Sequence, residues 1–213
     1  MKFIENRREL YLILLCEIWP MIHQNTTIRY IDETVGVGVF ATKFIPKGTI
    51  TWTRDALDRA FSPAEFDALD KQHQHLVDTY AYRNNLGQYI LCWDHCRYMN
   101  HSFHPNCIST VYEVELAVRD IHPGDQLTND YGFLNISEPF RPVAEASRRK
   151  VVYPDDLLRY ATQWDKLIAG AFSKLLRVEQ PLKHLINSQT WERLESNASG
   201  QTPIPSIREL YCS

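Results

Sequence analysis

The sequence lacks a basic excess. Its 213 residues carry 23 Lys and Arg against 26 Asp and Glu, a net charge of −3. With a pI near 6.2, this argues against a general nucleic-acid binder, which presents a basic face. No acidic run stands out either, so composition points only weakly to a basic protein partner. The short cluster Arg148-Arg149-Lys150 reads as a solvated turn.

Long apolar runs are also missing. Leu10–Cys16, preceded by Lys2, Arg7 and Arg8, loosely mimics an export signal. It is too short to span a bilayer and ends at Glu17. No small-residue cleavage site follows, and Leu15 stands where a small residue would precede a lipidated cysteine. Residues 4–18 are therefore expected to form a packed element, helical in pattern. Cysteine is odd in number: five, at Cys16, Cys92, Cys96, Cys107 and Cys212. An odd count with three central thiols suits a reducing, intracellular compartment; secretion toward a host stays open. No internal repeat is visible.

What is present is a series of short strands. Thr26–Asp32 alternates as a half-buried strand. Gly36-Val-Gly38-Val-Phe-Ala41 follows, then a turn at Phe44-Ile-Pro-Lys-Gly48 and a strand over Thr49–Thr53. Ser62-Pro63-Ala-Glu65 starts a helix that the spacing extends to about Val77. Thr79–Arg83 and Gln88–Trp93 flank a hairpin turn at Asn84-Asn-Leu-Gly87. Thr110–Glu113 and Glu115–Arg119 are again strand-like. From Asp155 to Val178 a helical apolar stripe runs through Leu157, Ala161, Trp164, Ile168 and Leu175. A second amphipathic stretch covers 181–195, and 196–206 is irregular in composition.

Polar groups concentrate in two places. Arg97-Tyr-Met-Asn-His-Ser-Phe-His-Pro-Asn-Cys107 follows an apolar strand, and Ala117-Val-Arg-Asp-Ile-His-Pro-Gly-Asp-Gln-Leu-Thr-Asn-Asp-Tyr-Gly132 is a strand, a turn and a strand end. Such density beside buried strands is costly unless the groups bind something. A metal set of Cys92, Cys96 and Cys107 with nearby histidines is disfavoured, because strand alternation puts Cys92 and His95 on opposite faces.

With Gly36-Val-Gly38 and Ile45-Pro-Lys-Gly48, these two runs resemble the SET domain of protein lysine methyltransferases. The resemblance covers 28–134, with 1–27 as a flanking segment and 135–213 as a helical extension. It implies a mainly β fold of several small sheets, with a knot-like crossing of the two polar runs and one inserted helix. It implies S-adenosylmethionine as cofactor, leaving as S-adenosylhomocysteine, held by Val35, Gly36, Val37, Gly38, Asn100, His101 and Tyr131. Tyr131 is the expected catalytic residue, and Arg97 and Asn106 brace the loop. The partner implied is a protein presenting a lysine, with no nucleic acid or membrane; oligomeric state is not indicated. A fold that binds a peptide without turnover, or a different acceptor such as histidine, are the alternatives.

Two positions depart from the family pattern. Phe103 stands where many members have a zinc-binding cysteine, and only Cys212 follows Tyr131, so no zinc is expected. The extension 153–195 is then expected to close the channel. Asn129 stands where an aromatic ring is common, at a position that influences how many methyl groups fit. Tyr80, Tyr82, Tyr98, Phe133, Phe140 and Trp164 are candidates for the aromatic wall of a lysine channel.

Overall fold

A computed structural model describes residues 22–212. The expected helix at 4–18 lies outside the described residues. Among the described residues four small sheets make up the β part. Strands β1 (Thr26–Asp32) and β2 (Gly36–Ala41) form an antiparallel hairpin with Thr26 opposite Ala41. Its turn closes because Asp32 Oδ1 accepts from the N–H groups of Thr34 and Val35, both at 2.8 Å. Gly36 ends the turn at φ +80°, a conformation glycine reaches without a steric cost.

Strand β3 (Ile50–Thr53) pairs with β9 (Val114–Ala117), which pairs with β8 (Cys107–Ser109). All four residues of β9 are buried. Between β8 and β9 the expected strand at Thr110–Glu113 is instead a tight turn. Thr110 Oγ1 donates to Val114 O at 2.9 Å, and Glu113 takes a left-handed φ of 55°. A side chain that folds the backbone onto itself competes with ladder formation. The third sheet sets β6 (Tyr89–Leu91) between β4 (Arg59–Phe61) and β5 (Ala81–Arg83).

The inserted helix comes out as two. Helix α1 (Pro63–Asp67) starts with a capping box between Ser62 and Glu65, and α2 (Lys71–Tyr80) follows. The break comes from Asp70, whose Oδ1 accepts from both Gln72 N and His73 N at 3.0 Å. That makes Asp70 a new N-cap, so its own backbone stays extended. The apolar spacing seen across Phe66, Leu69 and Leu76 spans the break and conceals it.

The extension is built into the core. Helix α3 (Asp156–Leu175) buries Leu157, Ala161, Trp164, Ile168, Ala171, Phe172 and Leu175. These pack with Ile50, Ile108, Leu116 and Phe133 of the β part, and with Trp191 and Leu194 of α4 (Ser188–Ala198). Full burial of each large side chain stabilises by roughly 1.5–3 kcal/mol. Gln180 stitches the edge of β3: its Oε1 accepts from Ile50 N, and its Nε2 donates to Gly48 O, each at 2.8 Å. A second core gathers Ile22, Val39, Ile45, Trp52, Met99, Ile121 and Leu127. Among the described residues no helix is long and apolar enough to cross a membrane.

Candidate active site

Two short strands carry the site. Strand β7 (Asn100–His101) runs parallel to β10 (Thr128–Asn129), with Asn100 opposite Thr128 and His101 opposite Asn129. Asn106 fixes their alignment. It donates to Gln126 O and accepts from Thr128 N, both at 2.8 Å. The bracing role expected of Asn106 is thus visible as two backbone contacts. Arg97 instead lies over the Tyr98 ring at 5.0 Å.

Beyond β10 the chain turns into a short 3-10 helix over Tyr131–Phe133. Tyr131 N donates to His101 Nδ1 at 3.1 Å, and Tyr131 Oη donates to Met99 O at 2.9 Å. Burial pushes the Tyr131 hydroxyl up to about 12, so it stays protonated at neutral pH. Because Nδ1 of His101 accepts, its ring proton sits on Nε2. Burial, with the Arg149 charge adding to it, lowers His101 to about 3. The imidazole is neutral.

The glycines act unequally. A Cβ at Gly38 would stand 2.5 Å from Gln126 Nε2 and 2.9 Å from Asn100 Nδ2. Glycine there makes room for those two side chains. Asn100 uses the space to donate from Nδ2 to Val37 O at 3.0 Å. At Gly36 nothing lies within 4 Å of a Cβ position, so that face is open. Val35 flanks it, half-buried. Val35, Gly36, Val37, Gly38, Asn100, His101 and Tyr131 are therefore linked through Asn100 and β7.

The candidate aromatic rings lie in different places. Phe140 lies 5.5 Å from the Tyr131 ring and 6.0 Å from His101. Phe133 and Trp164 pack edge to face at 5.4 Å inside the core. Tyr82 packs edge to face against Trp52, and Tyr80 against Tyr98.

Asn129 sits in a polar cluster. It is buried and donates from Nδ2 to Glu115 Oε2 at 2.8 Å. Thr51 Oγ1 donates to the other carboxylate oxygen at 3.0 Å. Burial pushes Glu115 up to about 7. Glu115 is not among the residues expected at the site; its signal in the sequence is an acid inside the apolar strand Val114-Glu-Leu-Ala117.

The reading of Arg148-Arg149-Lys150 as a solvated turn is corrected at Arg149. Its guanidinium is ion-paired with Asp130 and with Asp156, the latter at 2.6 Å. Arg148 and Lys150 are exposed. A cavity of about 950 Å³ lies over this pair, lined by Phe103, His104, Asp130, Arg149, Tyr160 and Trp164 among others. Val35–Gly38, Asn100 and Tyr131 do not line it.

Small sheets are thus joined by a parallel contact between a polar loop and a tyrosine-bearing strand end. Residues 36–132 match the SET domain family, a family of methyltransferases, so the chain contains a SET domain. No curated protein matches the chain.

The residues fit S-adenosylmethionine on two observations. His101 Nε2 and Gln126 Nε2 are buried and unpaired among the described residues. Both are donors, and the purine and carboxylate of such a cofactor supply acceptors. The open face at Gly36 admits close approach of a ligand to the backbone.

Proposed function

We propose that this protein transfers a methyl group from S-adenosylmethionine to the side-chain amine of a lysine in a protein substrate. The observation that carries this reading is the junction of His101 with Tyr131, 30 residues apart in sequence. It joins the expected cofactor loop to the expected catalytic residue.

When bound, the cofactor supplies a methyl carbon activated by a sulfonium. Asn100, His101, Gln126 and the backbone at 35–38 would hold it. Transfer needs nucleophile, carbon and sulfur in line, so positioning and electrostatics dominate. Tyr131 Oη donates its hydrogen bond to Met99 O, and among the described residues no hydrogen bond is directed at its lone pairs. That oxygen orients the reacting groups; a phenol held near 12 does not act as a base at neutral pH. The amine must arrive neutral. An apolar wall such as Phe140, together with the sulfonium charge, disfavours the ammonium form.

Incubation with labelled cofactor and mixed protein extracts tests the reading, with mass spectrometry of the labelled residue. Methyl-lysine is the expected product. Label on another residue type, or cofactor binding without transfer to any protein, overturns it. The protein is proposed to work in a reducing, intracellular setting.

A further inference from the structure

The segment 138–152 lies beyond the matched domain, yet it reaches the catalytic turn. Phe140 and Val152 pair through two backbone hydrogen bonds of 2.9 and 2.8 Å, closing this segment as a strap. Ser102 Oγ donates to Glu145 Oε2 at 2.9 Å, and Phe103 N also donates to Glu145. From the strap Arg149 extends inward. One nitrogen pairs with Asp130 Oδ2, and the other bridges Asp130 Oδ1 at 3.3 Å and Asp156 Oδ2 at 2.6 Å. Both carboxylates are essentially inaccessible, at 0% and 1%. Aromatic faces enclose the guanidinium: Phe103 at 4.5 Å, Tyr160 at 4.2 Å and Trp164 at 5.8 Å.

Asp130, Tyr131 and Gly132 are each held by a different group. Asp130 is held by Arg149. Tyr131 N is held by His101 at 3.1 Å. Gly132 N donates to Asp130 Oδ1 at 3.0 Å. A Cβ at Gly132 would come within 2.9 Å of Asp156 Cβ and 3.0 Å of Arg149 Nη2. Turn and guanidinium are therefore fitted to one another, and glycine is what lets them meet.

We propose that Arg149 is a positioning residue: by clamping Asp130 it sets the turn that presents Tyr131, and so controls turnover from outside the matched domain. This rests on the methyltransferase reading above. The clamp needs a planar fork that takes two carboxylates and stacks on rings. A lysine has the charge but not that shape.

Removing Arg149 alone would leave buried carboxylates without a partner and loosen the fold. The decisive variant is the double change Arg149→Met with Asp130→Asn. It lessens the unpaired charge and keeps an acceptor for Gly132 N. Its kcat should fall about 100-fold, while cofactor Kd and substrate KM stay within about threefold. Amide hydrogen exchange at Tyr131 and Gly132 should quicken at least about tenfold while the core amides keep their protection. Arg149→Lys, which keeps the charge in place, should lower kcat about tenfold without lowering cofactor affinity. Wild-type kcat with wild-type exchange in these variants overturns the proposal. If the unaltered protein methylates nothing, the enzymatic reading fails by itself. The exchange measurement still decides whether Arg149 holds the Tyr131 turn.

Discussion

The backbone N–H of Tyr131 donates to Nδ1 of His101 across 3.1 Å. This bond makes the imidazole an acceptor on one side, so its other nitrogen carries the proton. It also makes the loop and the strand end a single unit. A shift of either moves the other.

The first prediction concerns the Tyr131 hydroxyl. Tyr131→Phe removes the bond to Met99 O but keeps the ring that packs near Phe140. Methyl transfer should fall by about 100-fold, the magnitude typical of losing one preorganised polar group. Cofactor affinity should change little. A transfer assay with labelled cofactor beside a calorimetric Kd checks both.

Gly38 offers a steric test. Gly38→Ala places a Cβ 2.5 Å from Gln126 Nε2 and 2.9 Å from Asn100 Nδ2. Both side chains must move, at a cost of about 1–3 kcal/mol for overpacking. Thermal melting should show the loss, and cofactor binding should weaken because Asn100 leaves Val37 O. Unchanged melting and unchanged affinity would remove this packing from the account.

Glu115 sets a pH dependence. Its folded pKa is raised from 4.5 to about 7, so the folded state holds the proton more tightly than the unfolded chain. The stabilisation is full below 4.5 and is lost as pH rises through about 7. Over that window the loss is about 3 kcal/mol at most. Glu115→Gln should flatten this part of the stability curve, making the variant gain on wild type between pH 5 and 8, about the span between the two values. Denaturant unfolding at several pH values measures it; parallel curves would refute it.

His101 should not titrate near neutrality. Burial holds it at about 3, below the ordinary 6.5. Its contribution to stability is present above 6.5 and is lost as pH falls toward 3. Ring nitrogen NMR should show one neutral tautomer, protonated at Nε2, from about pH 8 to pH 5. A midpoint near 6.5 would contradict this burial of the imidazole.

Gln180 tests how firmly the extension is tied in. Gln180→Ala leaves Ile50 N and Gly48 O without their side-chain partner. The cost of an unsatisfied buried amide is about 1–3 kcal/mol. Melting temperature should drop by several degrees. Deleting 153–213 outright is a poorer probe, because Trp164, Phe172 and Leu194 share a core with the sheet.

Much of this protein was readable from the order of its residues. Alternation gave β1, and the Ser62-Pro63 start gave α1, because such signals are local. The two polar runs identified the loop and strand end by resemblance, and Asn106 as a brace followed. Local chemistry misled where two signals overlapped. Asp70 capped a second helix beneath a continuous apolar spacing, and Thr110 folded a presumed strand into a turn.

What only the tertiary structure decided are the pairings between distant charges and rings. Arg149 has the same local sequence surroundings as Arg148, yet one is buried between Asp130 and Asp156 and the other is exposed. Glu115 looked like any strand acid until Thr51 and Asn129 met it in the core. The physical reason is one of range. Propensity and periodicity act over a few neighbours along the chain, whereas burial energy and charge pairing depend on which distant segments the fold brings into contact.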